Sequence, residues 1–540
     1  MNQSLSSFST RATPQGEPVG GANTRNNAGG FVFAIDKWKT FERFLLIGTE
    51  GGSYYIGEAN LTKVNAEKTI ECIKEDGPRA VRLIEEISHA GRAPKNDPAL
   101  FALALAASVP EAATRKLALA ALPKVARIPT HLFHFLTYVQ NHRGWGRGLK
   151  KAVAAWYNDL PVDKLAYEVV KYQSRDGFSN RDAIRLSHPK TKDEVRNFIY
   201  SWIVDDFKDA RKAHPIEDNL IPKSIAGFEF AKEAPLKDIP NLIGEYGLTR
   251  EMIPTEALSS PEVWEALLEN MGSTTLIRNL GNMSRVGLLT ESSIATKIAL
   301  TKLLDQEALH KARVHPIEVL IALKTYASGS GVLGKNTWKP VRSIVSALDD
   351  AFYLAFKNLT PTGKRLLFAI DCSESMLGSG LKGYRYSDIP GTKVSPAEAA
   401  ASLALACAKF ETEYYIMGFA DKFRHLPLKA NMALDMAVAA TQSRTFGRTD
   451  CALPMVWALE QQVEVDAFIV LTDNETWVGR IHPHQALRAY REKMGRPAKE
   501  IVMAMTATSF SIADPSDPFA LDIAGFDASC PSAIAEFVKA

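Results

Sequence analysis

The chain is 540 residues long, 46% hydrophobic and 23% charged, with a net charge of +3. That length exceeds what one hydrophobic core serves, so at least two domains are expected, and with no run of about 18 apolar residues a membrane-spanning helix is not. Five cysteines without a C-x-x-C pair exclude a disulfide scaffold and a zinc ribbon and fit a reducing, cytoplasmic setting. The first 29 residues are polar, rich in Ser, Gly, Asn and Thr, and lack the apolar stretch of a signal peptide. A disordered tail is expected there. Next, Phe44–Ile47 and Tyr54–Ile56 flank a Glu-Gly-Gly turn, which predicts a β-hairpin.

From about residue 62 to 358 apolar residues recur at helical spacing, as in VNAEKTIECIKE, RAVRLIEEISHA, PALFALALAAS and PTHLFHFLTYVQ. Pro and Gly-Pro breaks at 77–78, 94, 110, 123, 129, 161 and 189 cut this pattern into helices joined by short turns. Such helices pack as antiparallel pairs, and a long string of pairs predicts a HEAT-type α-solenoid. At Pro361 the pattern changes. Apolar strands (RLLFAID, EYYIMGFA, DAFIVLTD, EIVMAMTAT) alternate with helices (396–410, 435–442, 483–494, 531–539), which predicts a doubly wound α/β domain with a parallel sheet. The expected organisation is a tail over 1–29, a helical body over 30–360 and an α/β domain over 361–540.

Charge separates these regions. Residues 361–540 hold 18 basic and 21 acidic side chains, whereas residues 121–200 hold 14 basic and 7 acidic. Basic charge focused on one segment is the footprint of a polyanion partner. Within it, Lys171 and Arg175 stand four apart, as on one helix face, with His188 following a short helix. Upstream, Arg143, Arg147, Lys150 and Lys151 surround Trp145 in a glycine-rich stretch where a backbone can approach phosphate closely.

In an open α/β sheet, ligands bind beyond the carboxyl ends of the strands. There the sequence carries Asp371-Cys372-Ser373-Glu374-Ser375, with Thr449 in a later turn and Asp473 ending the strand FIVLTD. Two carboxylates and three hydroxyls offer hard oxygen ligands to a divalent cation, Mg²⁺ above all and Mn²⁺ next. In kind and order the five residues resemble the metal-ion-dependent adhesion site (MIDAS) of von Willebrand factor A domains. His131 and His134 lack an H-E-x-x-H pattern and a carboxylate partner in the sequence, so zinc is not expected there.

With both halves placed, the segments FERFLLIGTEGGSYY, EISHAGRAPKNDPALFALALAAS, RIPTHLF, LIRNLGNMSR, HPIEVLIALKTY and LTDNETW resemble the Ro ribonucleoprotein (TROVE-module) family over nearly the whole chain after the tail. The resemblance implies a ring of HEAT repeats whose ends the A domain brings together. It implies RNA binding in quality control, maturation and decay. Small Y RNAs would sit on the outer face, where Lys171, Arg175 and His188 match the contacting positions, and single-stranded 3′ ends of misfolded or precursor RNAs would enter the central hole. It also implies an exoribonuclease as partner. No nucleophile or phosphate-loop motif is found, so a monomeric binding protein is expected rather than an enzyme. A metal-dependent protein-docking receptor acting through the A domain alone is the competing reading.

Overall fold

The structure is a computed structural model that describes residues 12–49, 58–331, 336–356, 361–376, 394–429, 432–434, 436–437, 440 and 447–540. Its first helix is Lys37–Ile47. Asp36 caps it by accepting from the Trp38 and Lys39 amides, and Gly48, at φ 76°, ends it. Trp38, Phe41, Phe44 and Leu45 recur at helical spacing and are buried. The hairpin expected from Phe44–Ile47 is therefore not formed: a good N-cap and a complete apolar face outweigh the local strand propensity of FLLI. Its other arm, Tyr54–Ile56, lies outside the described residues.

Several helices of the body pack on the helix two places further along, and some on their immediate neighbour as well. Helix Gly77–Ala90 lies on Ala112–Val125, Asp97–Ala106 on Pro129–His142, and Ala112–Val125 on Arg147–Asp159. This is the stacking of HEAT-type pairs, in which each pair buries its neighbour's apolar stripe. The string then returns to its own beginning. His315 Nε2 lies 3.2 Å from the Arg92 carbonyl, 223 residues away. At Gly91, a Cβ would sit 3.2 Å from Arg313 Cβ. The body closes into a ring. Among the described residues no helix is long and apolar enough to cross a membrane.

The C-terminal domain is built on a six-stranded sheet ordered Ala520–Ala524, Lys499–Ala504, Ala467–Thr472, Leu366–Asp371, Tyr414–Phe419, Phe423–His425. The first five strands are parallel, as expected, and the short Phe423–His425 strand adds an antiparallel edge. Leu366–Asp371 is buried along its whole length. Leu366, Phe368 and Ile370 enter a core shared with helix Pro396–Ala408 and the helical body. Leu367 and Ala369 enter a second core with helices Leu453–Glu460 and Pro483–Met494. Period-two alternation thus feeds both faces of a doubly wound layer.

The N-terminal segment corrects the expectation of a disordered tail over 12–29. Thr24–Arg25 pairs with Phe31–Val32, and Phe33–Ala34 pairs with Phe510–Ser511 of the C-terminal domain. Gln15 and Asn26 are buried there. Composition points to disorder because these polar side chains find their partners more than 400 residues away. Residues 1–11 lie outside the described part.

From this segment the chain passes into the first ring helix, where Arg43 is buried. Its guanidinium donates to the Thr508 and Phe510 carbonyls (3.0 and 2.8 Å) and pairs with Asp522 at 2.5 Å. Removing one partner of a buried pair strands the other charge. Arg43→Met is expected to destabilise the protein by about 3 kcal/mol. Arg43→Met with Asp522→Asn should recover part of that loss, as read from the urea midpoint of each variant.

Candidate metal centre and nucleic-acid interface

Asp371 ends its strand at the carboxyl edge of the sheet, and its carboxylate is fully buried. One oxygen accepts from the Thr472 hydroxyl at 2.6 Å, the other from the Ser373 amide at 2.9 Å. The Ser373 and Ser375 hydroxyls lie 3.0 Å apart, and Ser375 hydrogen-bonds Asp473. Asp473 follows strand Ala467–Thr472, is buried, and accepts from the Glu475 amide at 3.1 Å. Thr449 sits in the loop after Gly447, with its carbonyl accepting from the Trp477 amide at 3.1 Å. Asp371, Ser373, Ser375 and Asp473 thus form one connected cluster, and the Thr449 loop is bonded to the loop that follows Asp473.

The electrostatics of this cluster are unbalanced. Burial, and then the neighbouring Asp473 charge, push Asp371 up to about 7. Burial also raises Asp473. The Thr449 hydroxyl is buried without a hydrogen-bond partner among the described residues. Two desolvated carboxylates and an orphaned hydroxyl are what a hard divalent cation would satisfy, so the donor set fits Mg²⁺ or Mn²⁺.

The basic residues are arranged differently from expectation. Helix Val162–Lys171 ends at Lys171, and Ser174–Arg175 pairs with Phe178–Ser179 as a tight hairpin. Asp176 and Gly177 both take positive φ, 50° and 81°, the Asp-Gly pattern of a type I′ turn. Lys171 and Arg175 therefore do not share a helix face; the turn chemistry of Asp-Gly overrides the i, i+4 spacing. Lys171 Nζ lies 3.3 Å from the Tyr167 hydroxyl and 5.3 Å from the Tyr172 ring centre. Burial works to lower its pKa, but Tyr172 and Tyr167 outweigh it and hold the pKa above the ordinary lysine value. His188 is exposed and left-handed at the end of helix Asn180–Ser187.

Arg175 is exposed and lines a cavity of about 490 Å³ with Lys95, Phe101, His134 and Tyr138. In that wall His134 meets Asp97 at 2.8 Å and Asp176 at 3.4 Å. No local pattern signals these carboxylates, which arrive from other elements. Arg143 is half-buried and donates to the Ala107 carbonyl at 2.8 Å. Arg147, Lys150 and Lys151 stand at the start of helix Arg147–Asp159, with Arg147 and Lys151 exposed.

Two family models match the chain in this frame: the TROVE domain over residues 24–223 and 245–330, and the Ro60 vWA domain over 365–538. The chain belongs to the Ro60 family. It is 42% identical over 529 residues to a Deinococcus radiodurans protein named RNA-binding protein RO60, covering 97% of each chain. It is 35% identical to the Caenorhabditis elegans protein of the same name, covering 98% of this chain and 92% of that one. The crystal structure of the Deinococcus radiodurans RO (RSR) protein matches with a TM-score of 0.69 at 40% identity, over 93% of this chain and 99% of that one.

Sequence reasoning missed two residues of the candidate metal cluster in this Ro60-family chain. Thr472 bonds Asp371 directly. Glu475 is buried, and burial together with the Asp473 charge pushes it up to about 8. The only available signal was position, one residue before and two after Asp473.

Carboxylates whose pKa is raised on folding favour the folded state fully below their unfolded pKa, and that contribution is lost as pH rises through the folded value. For Asp371 the window runs from about pH 4 to about 7. A bound cation must displace those protons. The thermal stabilisation by added Mg²⁺ is therefore expected to grow between pH 5.5 and 8 and to release protons near pH 7. Calorimetry in buffers of different ionisation enthalpy checks both.

Proposed function

We propose that this chain is the RNA-binding protein of a small ribonucleoprotein, acting by binding rather than by catalysis. The observation that carries this reading is the likeness, along nearly the whole chain, to two proteins named RNA-binding protein RO60. The basic start of helix Arg147–Asp159 supports it. Cations at a helix N-terminus oppose the helix dipole, and a phosphate placed there relieves both the dipole and the like-charge repulsion. In the finer reading, a small structured Y RNA occupies the outer face through Lys171, Arg175 and His188, aided by Arg143, Arg147, Lys150 and Lys151. Single-stranded 3′ ends of misfolded or precursor RNAs enter the ring.

Removing one phosphate-neutralising cation lowers the salt slope of binding by about 0.7–0.9. Lys171→Ala with Arg175→Ala is expected to weaken a small hairpin RNA strongly and flatten its slope by nearly two units. His188→Ser should cost affinity with less effect on slope. A 3′-tailed RNA should be less affected than the hairpin in competition binding. Equal weakening of both RNAs in the triple variant would mean one shared surface.

The A domain would hold Mg²⁺ or Mn²⁺ through Asp371, Ser373, Ser375, Thr449 and Asp473, and the ion would supply an open coordination position for an acidic side chain of a partner protein. The proposed donors are two carboxylates and three hydroxyls, and the nearby Glu475 carboxylate is held by Asn27 and the Ala28 amide; this favours docking over hydrolysis, because metal nucleases gather three or more carboxylates around paired ions. An exoribonuclease is the proposed partner, and a partner list indifferent to chelator in pull-downs would refute that choice. Asp371→Ala should abolish metal binding in calorimetry and leave RNA affinity nearly unchanged, since the basic face lies in the other domain.

A further inference from the structure

Thr449 and Asp473 stand on different loops, which meet directly where the Trp477 amide donates to the Thr449 carbonyl (3.1 Å) and the Cys451 amide to the Thr476 hydroxyl (3.0 Å). A segment from the far end of the chain spans them. The Gln15 side chain donates to Asp450 Oδ1 (2.7 Å) and to the Ile481 carbonyl (2.8 Å), and accepts from the Thr476 hydroxyl (2.5 Å) and the Gly479 amide (3.2 Å). Asp450 is the residue after Thr449, and Thr476 is three residues beyond Asp473. One fully buried amide therefore ties both loops together with four hydrogen bonds.

Further along the same segment, Asn26 donates to the Thr476 carbonyl at 2.7 Å, and its own oxygen accepts from the Gly30 amide at 2.8 Å. Asn27 and the Ala28 amide hold the buried Glu475 carboxylate at 2.6 and 2.9 Å. Gly30 passes so close that a Cβ would lie 2.0 Å from the Thr476 carbonyl oxygen, against rigid backbone. The contact is fitted along its length, as a structural part of a site is and a passing tail is not.

We infer that residues 12–30 are a positioning strap for the metal site. Gln15, Asn26 and Gly30 set the placement of the Thr449 and Asp473 loops, so the site binds its cation at full affinity only with the strap seated. The inference rests on the metal reading above. By linkage, a cation that needs the seated strap must in turn hold the strap down.

Full-length protein titrated with Mn²⁺, followed by calorimetry, tests this. Gln15→Ala leaves several buried groups unpaired, and Gly30→Ala lifts the strap by a clash. Each should weaken Mn²⁺ binding about tenfold or more, with hairpin-RNA affinity retained as evidence of a folded ring. Gly16→Ala, in the same segment but with open space where its Cβ would go, should bind Mn²⁺ like the parent. Hydrogen exchange on the unaltered protein gives an independent reading: Mn²⁺ should slow exchange of the amides in 12–30. If the parent binds Mn²⁺ while both strap variants match it, or while exchange in 12–30 is unmoved, the strap is not part of the site and the metal reading stands. If the parent binds no Mn²⁺, both fall.

Discussion

The buried carboxylate of Asp527 requires a counter-charge, and Arg92 supplies it at 2.9 Å. The same guanidinium reaches Glu42 on the first ring helix at 3.2 Å, while its backbone carbonyl meets His315 at the start of helix Pro316–Ala327. His315 is itself fixed, since Nδ1 accepts from the Ile317 amide and Nε2 must then donate to Arg92. First helix, late helices and A domain thus converge on one residue. A solenoid left open exposes apolar faces at both ends. Here those faces continue into a core that also takes one side of the A-domain sheet, where Phe526 packs against Phe352 and Phe356.

The two candidate sites store unfavourable electrostatics in opposite senses. At the sheet edge, negative charge is desolvated beside an orphaned hydroxyl. On the ring, cations crowd the positive end of a helix. Stable proteins satisfy such groups internally; where they do not, a ligand of opposite charge is the natural complement. The arrangement also keeps the sites apart: the donor set for the cation lies on the A domain, and the cationic residues lie on the ring.

What the sequence disclosed follows from the range of the forces involved. Helix stripes and sheet alternation are local patterns, so the helical solenoid and the doubly wound domain were legible, as was D-x-S-x-S with its Thr and Asp partners, whereas closure into a ring came only from the family resemblance. The Phe44–Ile47 strand does not form because the capping role of Asp36 and the full apolar face of Lys37–Ile47 outweigh a four-residue run. The Asp176-Gly177 turn was a readable signal that helical spacing obscured. Gln15, Asn26 and Glu475 were beyond reach. Their character comes from groups hundreds of positions away, and a polar residue beside a distant buried carbonyl looks the same in sequence as one in solvent.

That long reach has a temporal side. The strap leaves the ribosome well before its partners between residues 450 and 485, which follow more than 400 residues later. At synthesis rates of about 5–20 residues per second, it waits on the order of tens of seconds before it can dock. Through that interval the nascent chain carries a polar, undocked segment, suited by composition to remain soluble without a partner. Completion of the A domain is thereby deferred until the later sheet strands have been made, so a product truncated before them would lack both strap docking and the finished carboxyl edge of the sheet.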